Sequence, residues 1–146
     1  FNIEDGSMVN SHVQVPPSGN TVYGGTHGLF SSTEDFLKFC KMILNKGTLN
    51  SQRILSKNTV EMMTKNQIGK LIGPSRGFGF GFGVLYDTTK DVSPANNGQI
   101  YGGGYFKTHF FIDPKEELIG IIMTQKVPSN EDYIIAITQA VYGAID

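Results

Sequence analysis

The stretch Tyr101–Gln125, YGGGYFKTHFFIDPKEELIGIIMTQ, decides how the rest of the chain is read. It parses as a glycine-lined strand over Gln99–Tyr105, a second strand over Thr108–Ile112 and a third over Leu118–Gln125. The five residues Asp113-Pro114-Lys115-Glu116-Glu117 suit the turn of an antiparallel hairpin, with Pro after Asp. Residues 119–124, IGIIMT, are apolar on both faces, which predicts a central strand covered by helices on each side. Gly102, Gly103 and Gly104 remove every side chain from one length of backbone. Glycine inside a strand marks the close approach of another element or of a ligand. In the second case the bare N–H groups can bind a peptide or hold a developing oxyanion. The residues alone leave both readings open.

Upstream, GFGFGFGVLYD alternates Phe78, Phe80 and Phe82 with Gly79, Gly81 and Gly83. Period two predicts one strand with three aromatics on one face and bare backbone on the other. Those rings belong to the core or, in a sharper alternative, form an aromatic binding platform. Ahead of this strand, Ser31-Ser32-Thr33-Glu34 offers a capping box from Ser31 to Glu34. Phe36, Phe39, Cys40, Ile43 and Leu44 then recur at helical spacing, and Lys46-Gly47 closes the helix. A shorter helix is expected from Ser56, burying Val60, Met63 and Met62. Residues 66–77 and 87–98 read as loops, and 131–145 as a last helix facing inward through Ile134, Ile135, Ile137, Thr138, Val141 and Tyr142. Residues 1–27, broken by Pro16-Pro17, Ser18-Gly19-Asn20 and Gly24-Gly25, read as irregular. Helices, then an antiparallel sheet, then a helix to pack on it make the fold class α+β.

Bulk composition narrows the partners. The chain has 146 residues, 39% hydrophobic and 17% charged, with net charge −1. Near neutrality gives no electrostatic basis for binding nucleic acid. No apolar run approaches the roughly 20 residues that span a bilayer. The single cysteine, Cys40, excludes an internal disulfide. His12, His27 and His109 lack zinc-ligand spacing with it, and no cofactor is expected.

Two segments together carry a family resemblance. YGGTHGLFSSTEDFLKFCKMILNKG resembles the GG-x-GL-x-ST-x-x-D-x-x-x-F segment of serine β-lactamase-like hydrolases. That family includes penicillin-binding proteins, class C β-lactamases, esterases and D-aminopeptidases. RILSKNTVEMMTKNQ and the glycine strand followed by THFFIDPKEELIGIIMTQ continue the match in the same order. The resemblance implies the C-terminal part of such a hydrolase, so that residues 1–146 are one partial domain. It further implies acyl transfer on a β-lactam, ester or peptide substrate. The family's nucleophile lies in S-x-x-K, assisted by Y-x-N, with K-T-G, H-x-G or W-G-G on a sheet strand opposite.

Neither S-x-x-K nor Y-x-N occurs in this chain, and Ser18-Gly19-Asn20 spells S-x-N in the wrong place. Counting back from Ile112-Asp113-Pro114, the third motif falls on Gly102-Gly103-Gly104, implied to contact substrate together with Tyr105. The Tyr105 backbone N–H then takes the family's second oxyanion-hole position. Gly102 stands where Lys, His or Trp is normal, and Lys107 where glycine is usual. A register with K-T-G on Lys107-Thr108-His109 breaks the alignment with Ile112-Asp113-Pro114.

Two functions compete. In one, the chain belongs to a serine hydrolase whose nucleophile lies in a missing N-terminal half, and the chain alone is inactive. In the other it is a non-catalytic binding or interaction domain, a pseudoenzyme. Either way an open sheet edge is expected, covered by that missing half or by a self-associating copy.

Overall fold

The computed structural model describes residues 2–4, 7–9, 28–125 and 132–145. Its first element is a two-stranded antiparallel ladder, β1 (Asn2–Glu4) with β2 (Ser7–Val9), within the segment expected to be irregular. Glu4 pairs with Ser7, Ile3 with Met8 and Asn2 with Val9.

Helix α1 (Thr33–Leu44) is capped by Ser32, whose Oγ accepts the Asp35 N–H at 3.1 Å. The cap lies one residue later than expected. Asp35 takes the role read for Glu34 because its carboxylate also accepts from the Ser32 hydroxyl and Lys38. Lys46 ends the helix at φ 52°, and the Gly47 N–H returns to the Met42 carbonyl at 2.8 Å. A Cβ on Gly47 would lie 2.2 Å from the Leu55 carbonyl oxygen, so glycine is required there. A small hairpin absent from the sequence reading follows, β3 (Thr48–Leu49) with β4 (Gln52–Arg53). Its turn residues Asn50 and Ser51 both have positive φ. Helix α2 (Lys57–Met63) is capped by Ser56; Val60 is buried, Met63 packs on the core and Met62 faces solvent.

The main sheet has five antiparallel strands in sequential order: β5 (Arg76–Phe78), β6 (Gly83–Leu85), β7 (Ile100–Gly103), β8 (His109–Asp113) and β9 (Leu118–Ile122). The GFGFGFG stretch is therefore a hairpin and not one strand. Gly81, at φ 92°, reverses the chain between β5 and β6. Only Phe82 is buried, while Phe78 and Phe80 are exposed, which removes the uniform aromatic face. β9 is also not central: among the described residues nothing pairs with its outer edge. Its apolar run is explained on one face by α1, against which Ile119 and Ile121 pack, and on the other by the Phe111 ring.

Register sorts the core into rows. Val84, Ile100, Ile112 and Ile119 are consecutive cross-strand partners on the α1 face, joined by the Phe110 ring that meets Phe36 at 4.9 Å. The opposite face carries Gly83, Tyr101, Phe111 and Gly120 in one row. Tyr101 leans over Gly83 and Phe111 over Gly120; a Cβ on either glycine would come within 2.5 Å of a ring carbon. Helix α3 (Asp132–Tyr142) covers this second face, with Tyr142 stacked 6.0 Å from Phe111. Ile135 and Ile137, expected inward, are exposed; Ile134, Thr138, Val141 and Tyr142 are the half-buried side.

Candidate active site

β6 begins only at Gly83, opposite Tyr101, whereas β7 continues through Gly102 and Gly103 beside β8. Past Tyr101, β7 therefore has a neighbour on one side only among the described residues. The Gly104 N–H donates to the Thr108 carbonyl at 2.9 Å. Antiparallel pairing alternates, so the Gly103 N–H and C=O point the other way, to the unpaired edge.

The strand then turns sharply over Gly104–Lys107, closed by Lys107 N–H to Gly104 carbonyl at 2.9 Å. A trans peptide sends its C=O and N–H in opposite directions. With the Gly104 carbonyl pulled into the turn, the Tyr105 N–H points out of it, and the hairpin does not use it. Lys107 sits at φ 60°, the left-handed conformation in which glycine is at ease. This is the physical meaning of a lysine where glycine is usual. Lys107→Gly is expected to stabilise the chain by about 0.5–1 kcal/mol, the relief of left-handed strain less the added chain entropy. Urea unfolding measures it, and a loss of stability would mean that contacts of the lysine side chain outweigh the strain.

Most of the glycine run is explained by packing. A Cβ on Gly102 would lie 2.6 Å from the Phe110 ring, and one on Gly104 would lie 2.4 Å from the Thr108 hydroxyl. Gly103 is tight only against the Thr108 carbonyl, at 3.1 Å. Close packing and an accessible backbone edge thus coexist on the same three residues.

Gly102, Gly103 and Gly104 line a cavity of about 470 Å³ on the α3 face of the sheet; the Tyr105 side chain does not, and is 69% exposed. Arg76 and Lys107 reach the cavity, and among the described residues no carboxylate lines it. The Arg76 guanidinium lies 5.3 Å over the Tyr101 ring, which stacks in turn at 6.3 Å on His109. Arg76 is also held bidentately by Asp91, at 2.6 and 2.8 Å, and Ser75 donates to the same carboxylate. These Arg76 hydrogen bonds hold the Asp91 carboxyl well below the usual carboxylate range, against the opposing effect of burial. The mixture of aromatic, aliphatic and polar lining suits a compact amphipathic molecule.

Of the candidate site residues singled out from sequence, Gly102–Gly104, Lys107, Thr108 and His109 meet at this cavity, whereas Tyr105, the second residue of the turn, does not line it. Lys107-Thr108-His109 runs from the turn into β8, not along β7. His12, His27 and Ser18-Gly19-Asn20 lie outside the described residues. Cys40 is fully buried, which pushes its thiol up to about 11 and leaves it unreactive. Among the described residues no three metal-ligating side chains converge, and no helix is long and apolar enough to cross a membrane. Arg76, Asp91 and Tyr101 were missed from sequence because no local motif links residues 10 to 25 positions apart.

The family model of the β-lactamases matches residues 4–144. Uncharacterized protein MT1414 and protein Rv1367c, from two strains of Mycobacterium tuberculosis, are each 30% identical over 130 residues, 80% of this chain and 31% of theirs. The chain thus spans about a third of the length of these curated relatives. Among solved structures, EstCE1, a hydrolase with promiscuous acyltransferase activity, is 29% identical over 75% of this chain and 29% of its own, with TM-score 0.67. The LovD6 mutant of simvastatin synthase from Aspergillus terreus covers 80% of this chain and 34% of its own at TM-score 0.65; at 20% identity it is similar in fold. An α+β sheet of this topology and a family match over nearly its whole length assign the chain to the serine β-lactamase family.

Proposed function

We propose that this chain forms one wall of the acyl-transfer cleft of a serine hydrolase. Gly102, Gly103 and Gly104 are the substrate-facing strand, and the Tyr105 N–H is an oxyanion donor. The observation that carries this reading is the unpaired outer edge of β7, where the Gly103 backbone faces away from β8 and the next turn leaves the Tyr105 N–H unused. A serine oxygen attacking an ester or amide carbonyl forms a bond to carbon and passes its proton to a neighbouring base. The carbonyl oxygen takes the negative charge, and a fixed N–H donor at hydrogen-bond distance stabilises it. Serine and base come from outside these 146 residues, which hold neither S-x-x-K nor Y-x-N. The remaining part of the protein, or a second copy, is the proposed cover for the outer edge of β9.

A specific observation favours a second reading, a non-catalytic binding domain. The Phe110 ring occupies the space that a side chain on residue 102 would need, so the polar first residue of the family's third motif has no room there. One experiment separates the two. The coding sequence upstream of Phe1 is read, and the full-length protein is treated with a serine-reactive fluorophosphonate and a fluorescent penicillin. The hydrolase reading expects S-x-x-K followed by Y-x-N upstream and covalent labelling of the full-length protein, with the 146-residue chain left unlabelled. A full-length protein without those motifs, or labelling of the short chain itself, sinks it.

A further inference from the structure

We propose that Thr124 and Tyr133 are positioning residues for the Tyr105 amide, a role that rests on the oxyanion reading given above. The Thr124 hydroxyl, just beyond β9, donates to the Phe106 carbonyl, and the Tyr133 hydroxyl of α3 donates to the Lys107 carbonyl. Neither bond belongs to the hairpin. Both reach the turn from other elements, across 18 and 26 residues of sequence.

Peptide planarity turns these contacts into a relay. The Phe106 carbonyl and the Lys107 N–H are the two ends of one rigid peptide unit. Thr124 holds the oxygen end, and the other end donates to the Gly104 carbonyl at 2.9 Å. That carbonyl shares its own peptide plane with the Tyr105 N–H, so fixing it aims the amide. Tyr133 fixes the following plane, at the carbonyl of the one turn residue in the left-handed region, Lys107 at φ 60°. A hairpin end anchored by its own two backbone bonds alone could rotate its peptides; two side-chain hydroxyls from outside restrict that rotation. Stabilisation of an oxyanion depends on donors already pointing at the oxygen, because reorientation during the reaction costs rate. Thr124 and Tyr133 never touch substrate; they act through the turn.

The test uses Thr124→Val and Tyr133→Phe, which delete only hydrogen-bonding capacity, and Thr124→Ser, which keeps the hydroxyl. In the 146-residue chain, hydrogen exchange of the Lys107 amide is expected to speed up about tenfold in Thr124→Val and Tyr133→Phe and to stay near wild type in Thr124→Ser. Core amides such as that of Ile112 should be unchanged, which separates a loosened turn from a loosened fold. In the full-length protein, p-nitrophenyl ester turnover is expected to fall about 10- to 100-fold in kcat, with KM within about twofold and recovery in Thr124→Ser. Unchanged Lys107 exchange in both variants overturns the relay, and faster exchange with unchanged kcat overturns its catalytic role. Absence of turnover in the wild-type full-length protein overturns the hydrolase reading and this role with it, whereas the exchange measurement still decides whether the hydroxyls hold the turn.

Discussion

Tyr105→Pro in the full-length protein is expected to lower kcat for ester hydrolysis by about 10²–10³-fold, the usual effect of deleting one oxyanion donor. Proline is the one natural residue that removes this donor, since it has no backbone N–H. The position tolerates it. Tyr105 is the second residue of the turn Gly104–Lys107, where proline is favoured in the common β-turns. The lost N–H is one the hairpin does not use, and the side chain is largely in solvent. Folding stability of the 146-residue chain should therefore change by less than about 1 kcal/mol, and the effect should fall on kcat more than on KM. Unaltered turnover in a folded Tyr105→Pro protein would remove Tyr105 from the oxyanion hole, whatever the rest of the site does.

Asp113→Ala should have the largest effect on folding, a loss of about 3–5 kcal/mol measured by chemical unfolding. Asp113 ends β8 and is completely buried. Its Oδ2 accepts from the Tyr142 hydroxyl at 2.6 Å and from the Asn96 N–H and Nδ2 at 3.1 and 3.0 Å. Its Oδ1 accepts the Lys115 and Glu116 N–H groups of the β8–β9 turn. One carboxylate thus joins the turn, the 92–98 loop and α3. Alanine would leave those donors facing a void, while asparagine keeps one acceptor oxygen and should cost less.

The same residue sets the sign of a pH effect. Burial alone would raise the Asp113 pKa, but hydrogen bonds from Tyr142, from Asn96 and from the Lys115 backbone outweigh it and the net direction is down from 3.8. A depressed carboxyl binds its proton more readily in the unfolded chain, so its stabilisation is complete above the unfolded value and is lost as pH falls through the folded one. Asp91, lowered by Arg76, acts in the same direction. The wild-type chain should lose stability below about pH 4, and Asp113→Asn should flatten that acid limb. Tyr142 works at the other end. Burial and then the Asp113 carboxylate raise its pKa, so its contribution is present below pH 10 and is lost only in stronger alkali.

Legibility followed the range of the interaction. Both helix caps lie within one residue of expectation because a serine oxygen and an N–H three positions later are nearly self-sufficient. The hairpin of β8 and β9 was readable from Asp113-Pro114, although the same Asp113 turned out to anchor α3 as well. GFGFGFG failed because its period of two runs unbroken through Gly81, and nothing local distinguishes a strand glycine from a reversing one.

For the site, the sequence alone determined the α+β class and the family, because order along the chain carries both, and it proposed Gly102–Gly104 and Tyr105 as the third motif. Only the tertiary structure decided what those glycines do. Gly102 yields its space to Phe110, Gly104 to Thr108, and the Gly103 backbone faces an edge that β6 does not reach, because its pairing stops at Tyr101, two residues short. Nor could any local pattern join Thr124 and Tyr133 to the turn that carries Tyr105. A side chain's reach is a few ångströms in space, and those residues become neighbours only after the sheet has paired and α3 has closed over it.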